Sequence, residues 1–264
     1  MTIKDTKSWL LNYFKNDESS FNAQSQTLIE PIRRYFNNQS TIEIQQLLLS
    51  HGLFQPEQTK LEQLERWIKE DIWQLIQEQY QQLKKEWQGP DLAIFIFPAD
   101  LNNQVLTKQF KGVSGLCFKD KMILFIDHQA SEQMINAIFA HEYSHAVRLN
   151  EVHHREDILT LKDTIILEGI AEIVTEEKFG ASLLPDFDDQ SKNINKLISQ
   201  WIKPYLSLST NHPLHHYIMY GNSSIPKFTG YQAGIFIVKQ WHGKHATDLI
   251  DLLQTPTEHF FKDL

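Results

Sequence analysis

The stretch 138–149, "IFAHEYSHAVRL", constrains the chain more than any other, because it sets His-Glu-x-x-His inside an apolar run that reads as a helix. On a helix, residues four apart lie one turn apart on the same face, so His141 and His145 present two imidazoles to one point. Two convergent imidazoles can chelate one metal ion. Glu142 projects beside that point, where it can take a proton without being a ligand itself. Five residues recur by chance, however, and a catalytic zinc needs a third protein ligand.

A second apolar helical pattern, "ILEGIAEIV", offers one. Glu168 lies there among Ile166, Leu167, Ile170, Ile173 and Val174, and Glu172 lies one turn further along the same face. Glu168 as third ligand completes a His2Glu set, with Glu172 placed to hydrogen-bond the outer nitrogen of a histidine ligand and fix its orientation. The small Gly169 and Ala171 allow two helices to approach closely. The other reading is a solvent-facing acidic stripe that continues at Glu176 and Glu177. The surrounding isoleucines argue for burial, and a buried carboxylate needs a partner, for which a metal serves.

The rest of the chain sets limits on partners. A formal net charge of −8 with no Lys/Arg cluster argues against a nucleic-acid binder. The start, "MTIKDTKSWLLNYFKNDESS", has no sustained apolar region, so no signal peptide is read and the cytoplasm is the expected location. The runs "LAIFIF" and "MILFI" are too short to span a bilayer. Cys117, the one cysteine, reads as a small buried hydrophobe in "GLCF". The histidines of "HH" (His153, His154) and "HGKH" (His242, His245) read as incidental surface residues, the latter with no carboxylate in a matching pattern.

Along the chain, residues 1–88 read as a helical region, its clearest helix spanning Leu61–Trp87 through Leu61, Leu64, Ile68, Ile72, Leu75, Ile76, Leu83 and Trp87. Gly89 and Pro90 stop it. Residues 89–180 read as an α+β catalytic core: strands within Asp91–Asp100, Val113–Phe118 and Met122–Asp127, then the two motif helices, Ser131 to about Asn150 and Asp163–Phe179. "GVSG" marks either a turn or an edge strand to which an extended peptide could add, with Val113, Ser114 and Gly115 as its substrate contacts. Residues 181–264 read as a helical lobe, with helices near Lys192–Leu206 and Tyr231–Trp241 and an amphipathic tail after Thr247.

The pairing of "HEYSHAVRLN" with "ILEGIAEIV" resembles the gluzincin group of zinc metallopeptidases. Together with "GVSGLCF", "MILFID" and "YIMYGNSSIPKFTGYQAGIFIV" it is most similar to the bacterial YjaZ-like predicted zinc-dependent proteases, over roughly residues 90–264. The resemblance implies one zinc ion on His141, His145 and Glu168, Glu142 as general base, and Glu172 as support. It also implies a zincin-like α+β fold in which a small mixed sheet packs on the HExxH helix, with an N-terminal helical extension and a helical C-terminal lobe closing the cleft. The expected activity is hydrolysis of peptide bonds through a zinc-bound water activated by Glu142, with a peptide or protein as substrate. An oxyanion donor is also required. Tyr231 in "TGYQAG" is favoured, and Tyr217, Tyr220, His215 and His216 stay open. Two other readings compete: a non-catalytic zinc protein that binds peptides or acts like a chaperone, and a non-haem iron enzyme with a two-His, one-carboxylate triad.

Overall fold

Three short apolar runs between helices form the sheet that carries the site. The computed structural model describes residues 2–15, 20–56, 65, 67–68, 71–152, 159–180 and 193–262. In chain order its main elements are α1 (Thr6–Lys15), α2 (Thr41–His51), α3 (Ile72–Trp87), β1 (Ala93–Pro98), β2 (Val113–Cys117), β3 (Lys121–Ile126), α4 (Glu132–Glu151), α5 (Leu161–Phe179), α6 (Pro213–Tyr220), α7 (Thr229–His245) and α8 (Leu249–Gln254). This is an α+β chain, mostly helical, with a small mixed sheet. Strand order is β1-β3-β2, with β1 parallel and β2 antiparallel to β3. Every residue of β1 and β3 is buried, as expected where both faces of a sheet are covered. Helix α4 packs on β2 and β3, while α1 meets β1 and α2 meets β2.

The two motif helices start where their capping residues dictate. Ser131 Oγ accepts the Met134 N–H at the head of α4, and Thr160 with Asp163 closes a reciprocal box at the head of α5. Helix α4 is buried along nearly its whole length. Its Phe139 and Tyr143 pack against Tyr80 of α3, and Tyr143 also stacks on Trp87, with ring centroids 5.6–6.4 Å apart. At its far end the buried Arg148 donates from Nη1 to the carbonyls of Leu253 (2.9 Å), Thr255 (3.0 Å) and Leu252 (3.3 Å), tying α4 to the end of α8. Burial pulls this guanidinium down to about 10.

Several expectations change. Helix α3 begins at Ile72, because Asp71 adopts a left-handed backbone (φ 47°, ψ 42°) that ends any continuous helix from residue 61. The break brings Trp67 and Trp73 edge to face at 4.9 Å, with Trp67 Nε1 donating to the Ile126 carbonyl. Leu61 and Leu64 lie outside the described residues, as do Lys192 and the His153–His154 pair. Helix α6 was not anticipated from the pattern. The small residue Gly169 faces α7 and not α4: a methyl there would lie 2.5 Å from the backbone of Gly234. His242 does have a carboxylate partner, Glu177 Oε1 at 3.0 Å, supplied by the neighbouring helix. Among the described residues no helix is long and apolar enough to cross a membrane.

Candidate active site and metal centre

The cleft lies between the outer edge of β2, the exposed stripe of α4, and the α5–α7 pair. It has a volume of ≈ 240 Å³. His141 and His145 stand one turn apart on α4 with their rings nearly perpendicular (84°) and 4.8 Å apart. Glu168 Oε2, from α5, lies 3.4 Å from His141 Nε2 and 3.7 Å from His145 Nε2. One ligand atom from each residue falls within a 4.8 Å sphere of the others, so the three could hold a metal. The donor set fits zinc. Ligand bonds of about 2.1 Å in a tetrahedron require donor atoms about 3.4 Å apart, and a two-imidazole, one-carboxylate set leaves the fourth position open.

Glu172 sits one turn beyond Glu168, with Oε1 3.4 Å from His141 Nδ1, at the limit of a hydrogen bond. It is buried, as the helical spacing anticipated. The acidic stripe divides here: Glu168 and Glu172 turn inward, while Glu176 and Glu177 are exposed and pair with Lys239 and His242 of α7.

Burial and charge act in opposite directions on the two histidines. Desolvation disfavours the charged ring of His141, but Glu168 and Glu172 outweigh it and hold the group up at about 10. At His145 burial dominates, and the neighbouring His141 adds to it, pulling the ring down to about 4. Desolvation works against the Glu168 carboxylate, yet the two histidines keep it below the usual carboxylate value. Glu142 is also buried and takes no part in the donor set. Desolvation, with a contribution from Glu168, pushes it up to about 7, the range suited to proton transfer at neutral pH.

Edge strand β2 runs directly over this glutamate. A methyl on Gly115 would lie 2.5 Å from Glu142 Cδ and 2.6 Å from its Oε1, so a side chain here would push the strand and the carboxylate apart. Val113, Ser114 and Gly115 all line the cleft, although Val113 is buried and Ser114 Oγ is already committed to the His51 carbonyl at 2.6 Å. Cys117, expected in the core, is half-buried and also lines the cleft.

Of the five oxyanion candidates, the fold brings Tyr231 and Tyr220 to the cleft, with their hydroxyls 3.2 Å apart. Desolvation raises both phenols, that of Tyr231 by burial and that of Tyr220 through the hydroxyl it turns inward although its ring is partly exposed, and the Glu168 and Glu142 carboxylates add to it. Tyr217, His215 and His216 do not line the cleft, and His215 Nε2 is 3.1 Å from Thr164 Oγ1. Sequence patterns missed His51 and Phe110, which line the cleft from the end of α2 and from the turn before β2. Neither belongs to a motif, and only the folded sheet brings them next to residues distant in the chain.

A family model described as "Predicted Zn-dependent protease (DUF2268)" matches residues 72–262. The chain belongs to this family. The predicted zinc-dependent protease family thus takes in both motif helices, the sheet and the C-terminal helices. A relative from Bacillus subtilis (strain 168), described as "Uncharacterized protein YjaZ", is 29% identical over 262 residues, covering 98% of each chain. The likeness to YjaZ-like predicted zinc-dependent proteases therefore extends through the N-terminal helices, beyond the motif-bearing part from residue 90. No solved structure matches the chain.

Proposed function

We propose that the protein is a single-zinc metallopeptidase of zincin-like fold, with His141, His145 and Glu168 as zinc ligands and Glu142 as general base. One observation carries this reading: a buried carboxylate at Glu142 stands beside a three-donor cluster without joining it. A purely structural zinc site has four protein ligands and no use for such a group. When bound, zinc supplies a Lewis acid that polarises the scissile carbonyl and makes water acidic enough to deprotonate near neutral pH.

The chain's own residues do the remainder. Glu142 takes a proton from the attacking water at its carboxylate and passes it to the leaving amine. Glu172 steadies His141 through Nδ1. Tyr231, whose O–H otherwise donates to the Tyr220 hydroxyl, turns that O–H to the oxygen that gains charge as the carbonyl is attacked. The outer edge of β2 at Val113–Gly115 aligns the substrate as an added strand, since antiparallel alternation directs the Gly115 N–H and C=O away from β3.

The test compares zinc-loaded wild type with zinc-loaded Glu142→Gln on a mixed quenched-fluorescent peptide library. Wild type should cleave, a chelator should stop it, and the variant should be slower by about 10²–10⁴-fold at unchanged zinc content. Stoichiometric zinc in both proteins with no cleavage by either would transfer the argument to a non-catalytic zinc-binding protein. Iron in protein purified without added metal would remove the zinc peptidase altogether.

A further inference from the structure

One wall of the cleft is built from aromatic rings in continuous contact. Phe110 packs edge to face on Phe228 (6.0 Å between centroids), Phe228 on Tyr231 (5.8 Å), Tyr231 against Tyr220 (5.6 Å), and Tyr220 over His216 (4.7 Å). Phe110, Tyr231 and Tyr220 face the cavity itself, and Leu116, Ile138 and Leu167 add an aliphatic lining. The outer end is open to solvent: Tyr220 and Tyr217 are each 45% exposed, and His216 is exposed beside them. Contiguous exposed aromatic surface leading into a cleft marks a binding surface more often than a fold requirement.

Hydrogen bonds tie down the turn that carries the wall. Asn222 Oδ1 accepts the N–H groups of Ser224 and Ile225, both at 2.8 Å, closing the turn between α6 and α7. Phe228 sits in the left-handed region (φ 57°, ψ 29°), rare for a bulky side chain, with its N–H on the Tyr220 carbonyl at 3.2 Å. Backbone strain of this kind persists where surrounding structure over-determines it, and here it falls on a ring of the wall. An acidic side chain laid on this aromatic and aliphatic lining would lose its water without gaining a Lys or Arg partner, since none of the described lining residues is either.

From the continuity of this wall with the catalytic carboxylate, we propose that it selects the substrate, receiving an aromatic or large aliphatic side chain of an extended peptide next to the scissile bond and disfavouring acidic ones. The proposal rests on the peptidase reading for its use in catalysis but not for the binding itself. An apolar surface of this kind discriminates large from small side chains by on the order of 10–200-fold.

The test uses full-length, zinc-loaded Glu142→Gln and fluorescent peptides that differ only in one residue: Phe, Leu, Ala or Asp. Anisotropy should show binding of the Phe and Leu peptides at least tenfold tighter than Ala, with Asp weakest. Phe110→Ala should reduce the Phe preference about tenfold while zinc content is kept, and Phe110→Leu should restore most of it. Should Phe110→Ala fail to fold, the exposed pair Tyr217→Ala and His216→Ala should weaken only peptides long enough to reach the outer end. Wild-type cleavage of the same set separates the two ideas. Selective binding without cleavage keeps the wall and removes the peptidase; cleavage with no preference among the four keeps the peptidase and overturns the wall. Neither binding nor cleavage of any peptide removes both.

Discussion

Gly115→Ala displaces Glu142 and the proposed substrate edge together without touching either motif. The added methyl would lie 2.5 Å from Glu142 Cδ, whereas two carbons need about 3.4–3.5 Å, so strand and carboxylate must separate by about 1 Å. The neighbour is a side chain able to turn about its own bonds, and the strand is an edge. The stability loss is therefore that of moderate overpacking, about 1–3 kcal/mol, or a melting temperature lower by roughly 2–10 °C. Catalysis suffers by a similar free energy, which a rate assay reads as a large factor. A base displaced by about 1 Å costs about 10²-fold, equal to about 2.7 kcal/mol of barrier. The expected signature in a peptide cleavage assay is kcat/KM reduced about a hundredfold, with zinc stoichiometry unchanged and a thermal melt that stays cooperative. Gly115→Ala with wild-type kcat/KM would refute the reasoning that joins the close placement of β2 on Glu142 to catalysis.

Gly234→Ala should act oppositely, on stability first: its methyl would meet the Ile165 carbonyl and lie 3.0 Å from Ile165 C, both rigid backbone, forcing α7 off α5. Thermal denaturation should show a larger fall for it than for Gly115→Ala; equal or smaller loss would count against the helix contact. In metal-free protein His141 is raised from 6.5 to about 10, so its ion-pair stabilisation is full below about pH 6.5 and fades as pH rises through about 10. Chemical denaturation of chelated protein across that window should follow this sign. Zinc binding near pH 8 should release about one proton, read by calorimetry in buffers of different ionisation enthalpy, and zero release would contradict a charged His141.

What could be read from the sequence was what is local. The convergence of His141 and His145 follows from one helical turn, the start of α4 from the hydroxyl of Ser131, and the inward face of Glu168 and Glu172 from the isoleucines around them. The strands were legible because their apolar runs are short and punctuated. The choice of neighbour was not legible. Gly169 signals a close helix approach but carries no information on which helix arrives, and only packing shows that it is α7. The apolar periodicity of residues 61–87 passes through Asp71 unbroken, because a left-handed residue changes the path of the chain and not its spacing of leucines and isoleucines. His51 reaches the cleft from an unrelated helix, held there through the Ser114 hydroxyl.

The two borders of the three-stranded sheet are treated differently, and this has a consequence for how copies of the chain can meet. Beside β1 the chain's own first residues lie as a selvage: Ile3 bridges Ile94, Lys4 N–H reaches the Ile94 carbonyl, Ile94 N–H reaches Thr2, and Thr6 Oγ1 donates to Ile96. Beyond β2 no bridge is formed among the described residues, and that strand lines the cleft that holds Glu142. On the proposed function, a guest strand added to that border, whether a substrate or a misfolded copy of the same chain, would enter the same cleft. Edge-to-edge aggregation and substrate occupancy then compete for one berth, so a saturating peptide should slow self-association as it fills the cleft.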